Sequence, residues 1–155
     1  MKTIPQSEWK WYGKAAHFIL GEWCRFHLAT QIGDHIISTV GELFPDAPVR
    51  ELYAEMRGKP LVGKGDARVA DYMIKFGYEE IGYKRKYETL VFRVTGEVCT
   101  AEGCDCGLPE IVASELDGDS YNNAGDATRG HMAMCQKWST PELAIAEREA
   151  EVGTA

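Results

Sequence analysis

Cys24-Arg25-Phe26-His27-Leu28-Ala29-Thr30-Gln31-Ile32-Gly33-Asp34-His35-Ile36-Ile37-Ser38-Thr39-Val40-Gly41-Glu42-Leu43 is the stretch on which the fold turns. Two extended runs rich in β-branched residues, Cys24 to Ile32 and His35 to Leu43, flank Gly33-Asp34. A two-residue loop of that chemistry is what a tight hairpin with a primed turn requires. The loop sets the register: Ile32 opposite His35, Leu28 opposite Thr39, His27 opposite Val40, Arg25 opposite Glu42. Side chains alternate across a strand, so Phe26, Leu28, Thr30, Ile32, Ile37 and Thr39 share the core side. Arg25, His27, Gln31, Ser38 and Glu42 share the other, where an Arg25–Glu42 cross-strand pair adds roughly 0.2–1 kcal/mol. An antiparallel sheet with one face solvated is the expectation.

Downstream, Pro48 to Arg57 and Asp66 to Phe76 carry the helical period, the first with Pro in its opening turn and Gly58 beyond its end, the second capped by Asp66 and stopped by Gly77. Gly63-Lys64-Gly65 between them lacks the rest of a phosphate-loop pattern and reads as punctuation. Tyr87 to Val98 is apolar on both faces in its middle, which predicts a central strand. Pro109 to Leu116 is a further strand candidate, Asp117-Gly118-Asp119-Ser120 an acidic turn, and Asn123 to Trp138 a helix with Ala124, Ala127, His131, Cys135 and Trp138 on one stripe. Thr140-Pro141 opens a last helix through Glu149. Upstream, His17 to Leu20 is a short strand candidate, and Trp9, Trp11, Tyr12 and Trp23 read as the cover of a core. The whole is an α+β single domain over residues 1–140, an antiparallel sheet with packed helices, followed by a surface helix or tail over 141–155.

The chemistry is concentrated in two pieces. Cys99-Thr100-Ala101-Glu102-Gly103-Cys104-Asp105-Cys106-Gly107 can fold back on its small residues as a knuckle, and His131 and Cys135, four apart, stack on one helix face. Four thiolates, or three with one imidazole, form a closed structural zinc shell, so Cys99, Cys104, Cys106, His131 and Cys135 compete for four places on a zinc ion. That ion would clamp the late helix to the end of the strand. Disulfides fit less well, because five cysteines is an odd number and Cys104 and Cys106 are too close to bridge comfortably. Inert buried thiols and an iron–sulfur cluster are the remaining readings.

A chain of 155 residues with 45% hydrophobic and 26% charged residues has the balance of one ordinary globular domain. It contains no apolar run long enough to span a membrane, and Met1-Lys2-Thr3-Ile4-Pro5 lacks the apolar core of a secretory signal. A reducing, cytoplasmic setting is the expectation, and it favours metal ligation over disulfides. The formal net charge of −7 argues against nucleic acid and anionic membrane as partners, since both are bound through basic patches; Lys84-Arg85-Lys86 is too short to serve.

Cys24-Arg25-Phe26-His27-Leu28-Ala29-Thr30, Ser38-Thr39-Val40-Gly41-Glu42, Tyr87-Glu88-Thr89 and the Cys/His cluster together resemble small, functionally uncharacterised proteins encoded by bacteriophages. The resemblance spans most of residues 9–138 and implies a cytoplasmic accessory factor made during infection. Two functions follow from the residues. One is a zinc-stapled binding protein that acts on a host or phage protein and unfolds when chelated. The other is a small hydrolase or transferase. It would use an open zinc site with Glu102 or Glu115 as base, or the hairpin face of His27, Ser38, Arg25 and Glu42 on a nucleotide-like molecule stacked by the early tryptophans.

Overall fold

The computed structural model describes residues 2–13, 15, 18, 24–43, 86–102 and 104–153. The helices expected at 48–57 and 66–76 lie outside the described residues, as does most of the strand expected at 17–20. The architecture is α+β: an antiparallel six-stranded sheet and two helices. The strands are β1 (Lys10–Trp11), β2 (Cys24–Ile32), β3 (His35–Leu43), β4 (Tyr87–Val98), β5 (Pro109–Ile111) and β6 (Asp117–Tyr121). The helices are α1 (Ala124–Trp138) and α2 (Pro141–Gly153). In space the strands run β1-β2-β3-β4-β5, and β6 also pairs with β4. The first half of β4 holds β6 (Tyr87↔Tyr121 to Val91↔Asp117) and its second half holds β5.

The hairpin register is the expected one, with Ile32 opposite His35 and His27 opposite Val40. The pairing skips positions 25 and 42, because Glu42 has a left-handed backbone (φ 58°) that interrupts strand geometry. The hairpin has no solvated face. One side buries Ala29, Ile36 and Val40 with Phe92, Leu108, Ala15, Phe18, Cys24 and Leu43. The other buries Ile32, Ile37 and Val91 against Met134, Cys135, Trp138 and Ala144 of the helices. The expectation of one polar face weighed Arg25, His27 and Ser38 and passed over Ile36 and Val40, which share that side of β3. A sheet covered on both faces loses its hydrophobic-in, polar-out alternation.

α1 begins where the Asn123 side chain accepts the Asp126 N–H (2.8 Å) and lays Ala127, His131, Met134, Cys135 and Trp138 on the sheet. A Cβ at position 130 would run into the Tyr121 ring, so glycine is what lets helix and strand approach. α2 starts at Pro141 and docks through Ala144 and an Arg148–Asp117 ion pair at 2.8 Å. The N-terminal segment packs Ile4 and Trp9 on the same core, and the Ile4 N–H reaches the Ser139 carbonyl at 2.7 Å. Of the early aromatics, Trp9 and Tyr12 pack against a core, Trp11, paired opposite Thr30, is 57% exposed, and Trp23 lies outside the described residues. The described residues contain no helix long and apolar enough to cross a membrane.

Candidate metal centre

β4 outruns the packed sheet. Its last residues, Thr95 to Val98, are exposed and form a two-stranded ribbon with β5, bridged at Val94↔Ile111 and Val98↔Pro109. Register shifts between those bridges, where Gly96 takes a φ of 96° open only to residues without a Cβ strain. The loop at the ribbon's tip is closed by backbone: the Cys99 N–H donates to the Leu108 carbonyl (2.8 Å) and the Cys104 N–H to the Ala101 carbonyl (3.0 Å). Gly107 (φ 68°) then turns the chain so that Leu108 is buried in the first core.

This folding brings the Sγ atoms of Cys99, Cys104 and Cys106 within 4.8 Å of one another. Zn–S bonds of about 2.3 Å put neighbouring sulfurs of a tetrahedral site about 3.8 Å apart, so small side-chain rotations suffice to close on an ion. The Leu108 N–H points at the Cys106 sulfur (3.5 Å) and, as the leading influence, holds that thiol below its ordinary pKa, favouring the thiolate that metals bind. No disulfide joins any of the five cysteines. Three cysteines at the strand exit can therefore hold a metal ion.

His131 and Cys135 do not join them. Their spacing does place both on one face of α1, but that face meets the second core. His131, fully buried, lies between two threonines, with Nε2 2.9 Å from Thr30 Oγ1 and Nδ1 2.7 Å from Thr39 Oγ1. Thr39 in turn bonds Thr89 at 2.6 Å. Thr89 precedes Cys99 on the chain by ten residues of extended strand and loop, roughly 30 Å of reach. Burial pushes the His131 pKa down to about 4 and the Cys135 thiol up to about 12, so both stay neutral. The clamp between α1 and the sheet is thus a hydrogen-bond network, in place of the expected ion.

Three of the four hairpin residues are committed to contacts within the fold. Ser38 is buried in the sheet, opposite Ala29 and Leu90. His27 uses both ring nitrogens locally: Nδ1 accepts the Ala15 N–H (3.2 Å) and Nε2 donates to the Cys24 carbonyl (2.7 Å). The Glu42 carboxylate accepts the Tyr87 hydroxyl (2.8 Å), and Arg25 is exposed. Sequence reading missed Glu88, half-buried opposite Val40, whose pKa burial and the neighbouring Glu115 raise to about 7. It also missed Asp117, which the strand β6 turns inward to bond Trp138 Nε1 (3.0 Å), Lys137 (2.9 Å) and Arg148. A run of Asp-Gly-Asp-Ser has the composition of a turn, and only its pairing with β4 makes it a strand. No family model, curated protein or solved structure matches the chain.

Proposed function

We propose that the protein is a zinc-binding accessory factor that acts by holding another protein at the tip of the β4–β5 ribbon. The observation that carries this reading is the convergence of three cysteine sulfurs on an exposed loop that no core packing requires. Thiolate ligands at such spacing suit zinc, and a zinc loop on a protruding ribbon presents a fixed surface to a partner. The resemblance to phage-encoded proteins supports a host or phage protein as that partner, in the cytoplasm of an infected cell. The engagement of His27, Ser38 and Glu42 in contacts within the fold weighs against the hairpin enzyme.

Elemental analysis of the full chain purified without added metal tests the first half of the reading. One equivalent of zinc is expected, falling to near zero in a Cys99→Ser/Cys104→Ser/Cys106→Ser variant and unchanged in Cys135→Ser. Zinc retained by the triple variant, or lost with Cys135→Ser, overturns it.

A further inference from the structure

Three thiolates are one donor short of a tetrahedral shell. Among the described residues no other Cys, His, Asp or Glu ligand atom lies within 4.8 Å of all three sulfurs. The charge around them is one-sided. Residues 94–112 include Glu97, Glu102, Asp105 and Glu110 and no lysine or arginine, and all four carboxylates are exposed. Val98 and Val112, 56% and 45% exposed, add apolar surface to the same ribbon. We infer that the fourth ligand is supplied by a separate protein, from a lysine- or arginine-rich segment that presents a histidine or cysteine side chain to the metal.

The argument is one of complementarity. A zinc ion bound by three thiolates keeps a net charge of −1, and four flanking carboxylates make the tip more negative still. A basic segment is drawn to that field, whereas a second copy of the ribbon meets its own sign and is repelled. A donor bond to the metal then gives the contact a register that charge alone does not supply. Val98, next to Cys99 in the chain, offers apolar area beside the metal, so the segment is anchored at one point and flanked by both kinds of contact. The inference rests on the metal reading above, and its test separates the two.

The test uses the full chain loaded with cobalt(II), whose sulfur-to-metal charge-transfer band reports thiolate ligation and whose visible bands report the fourth ligand. Three synthetic peptides are the probes: a lysine-rich peptide with one histidine, the same peptide with that histidine replaced by alanine, and a glutamate-rich peptide with one histidine. The lysine/histidine peptide should shift the visible bands at roughly a tenfold lower concentration than the glutamate/histidine peptide in low salt, the gap narrowing as salt rises. The alanine peptide should leave the bands in place. In a Glu102→Gln/Asp105→Asn/Glu110→Gln variant the charge-transfer band should persist while the preference for the basic peptide disappears. Unchanged visible bands with every peptide, an equal response to both histidine peptides, or dimerisation of the loaded chain by itself overturns the inference while the metal site stands. A missing charge-transfer band removes both.

Discussion

His131 shows how one buried side chain can set the behaviour of a whole sheet. Its two ring nitrogens engage Thr30 and Thr39, residues from adjacent strands, and Trp11 lies edge-on to it with ring centroids 6.0 Å apart. Burial depresses its folded-state pKa to about 4 against 6.5 for an unconstrained imidazole. The unfolded chain therefore binds the proton first, and the contribution of the neutral ring is intact above pH 6.5 and lost as pH falls toward 4. The loss should reach roughly 3 kcal/mol below that point, from about 1.4 kcal/mol per pKa unit. Denaturant titrations of the wild-type chain between pH 7.5 and 4 should show this decline. A His131→Leu variant should be weaker at pH 7.5 by about 1–3 kcal/mol, having removed the buried hydrogen bonds to Thr30 and Thr39, yet lose much of the slope. Sequence reading found the face His131 belongs to, because four-residue spacing on a helix fixes it. What that face would meet was not legible: a histidine beside a cysteine reads as a ligand pair until the threonines opposite it are known.

The elements differ in how openly the sequence declares them. β2, β3, β4 and α1 announce themselves through a two-residue loop, a twelve-residue β-rich run and an asparagine cap. β6 does not, because its stability comes from its neighbour. The Gly118 and Ser120 N–H groups are taken by the Asp117 and Asp119 side chains (2.9 and 2.8 Å), which blunts further strand addition there. α1 approaches β6 so closely that Gly130 has no room for a methyl group against Tyr121. Gly130→Ala, normally favourable in a helix, should here cost about 1–3 kcal/mol in thermal or denaturant unfolding. The ribbon stands apart from both cores, with only Leu108, Ile111 and Val94 reaching the first. Chelation should accordingly raise amide exchange across residues 97–108 and leave β3 and α1 protected, in contrast to the global unfolding that a four-ligand clamp between α1 and the strand end implies.

On the scale of the whole molecule, Asp117 joins three parts of the chain. It receives Trp138 and Lys137 from α1 and Arg148 from α2, and itself belongs to β6. Burial works to raise its pKa, but the Lys137 and Trp138 contacts prevail and hold it below the usual carboxylate range. Asp117→Asn should destabilise by about 1–3 kcal/mol, the two cations being partly exposed, and should loosen α2 first. Limited proteolysis near residues 139–142 is the readout expected to accelerate. None of these long-range bonds is visible in composition or periodicity, since each depends on which strand lies beside which. The antiparallel α+β plan, by contrast, needed only the hairpin and the later helix.

One consequence of the doubly covered sheet concerns Ile36 and Ile37. They are bonded neighbours in the chain, yet each belongs to a different hydrophobic cluster, and neither cluster contains the other's partners. β3 is in effect a party wall. Volume lost from one room is not made good from the other, so a change at either isoleucine invites compensation among distant residues of its own cluster and leaves its immediate neighbour indifferent.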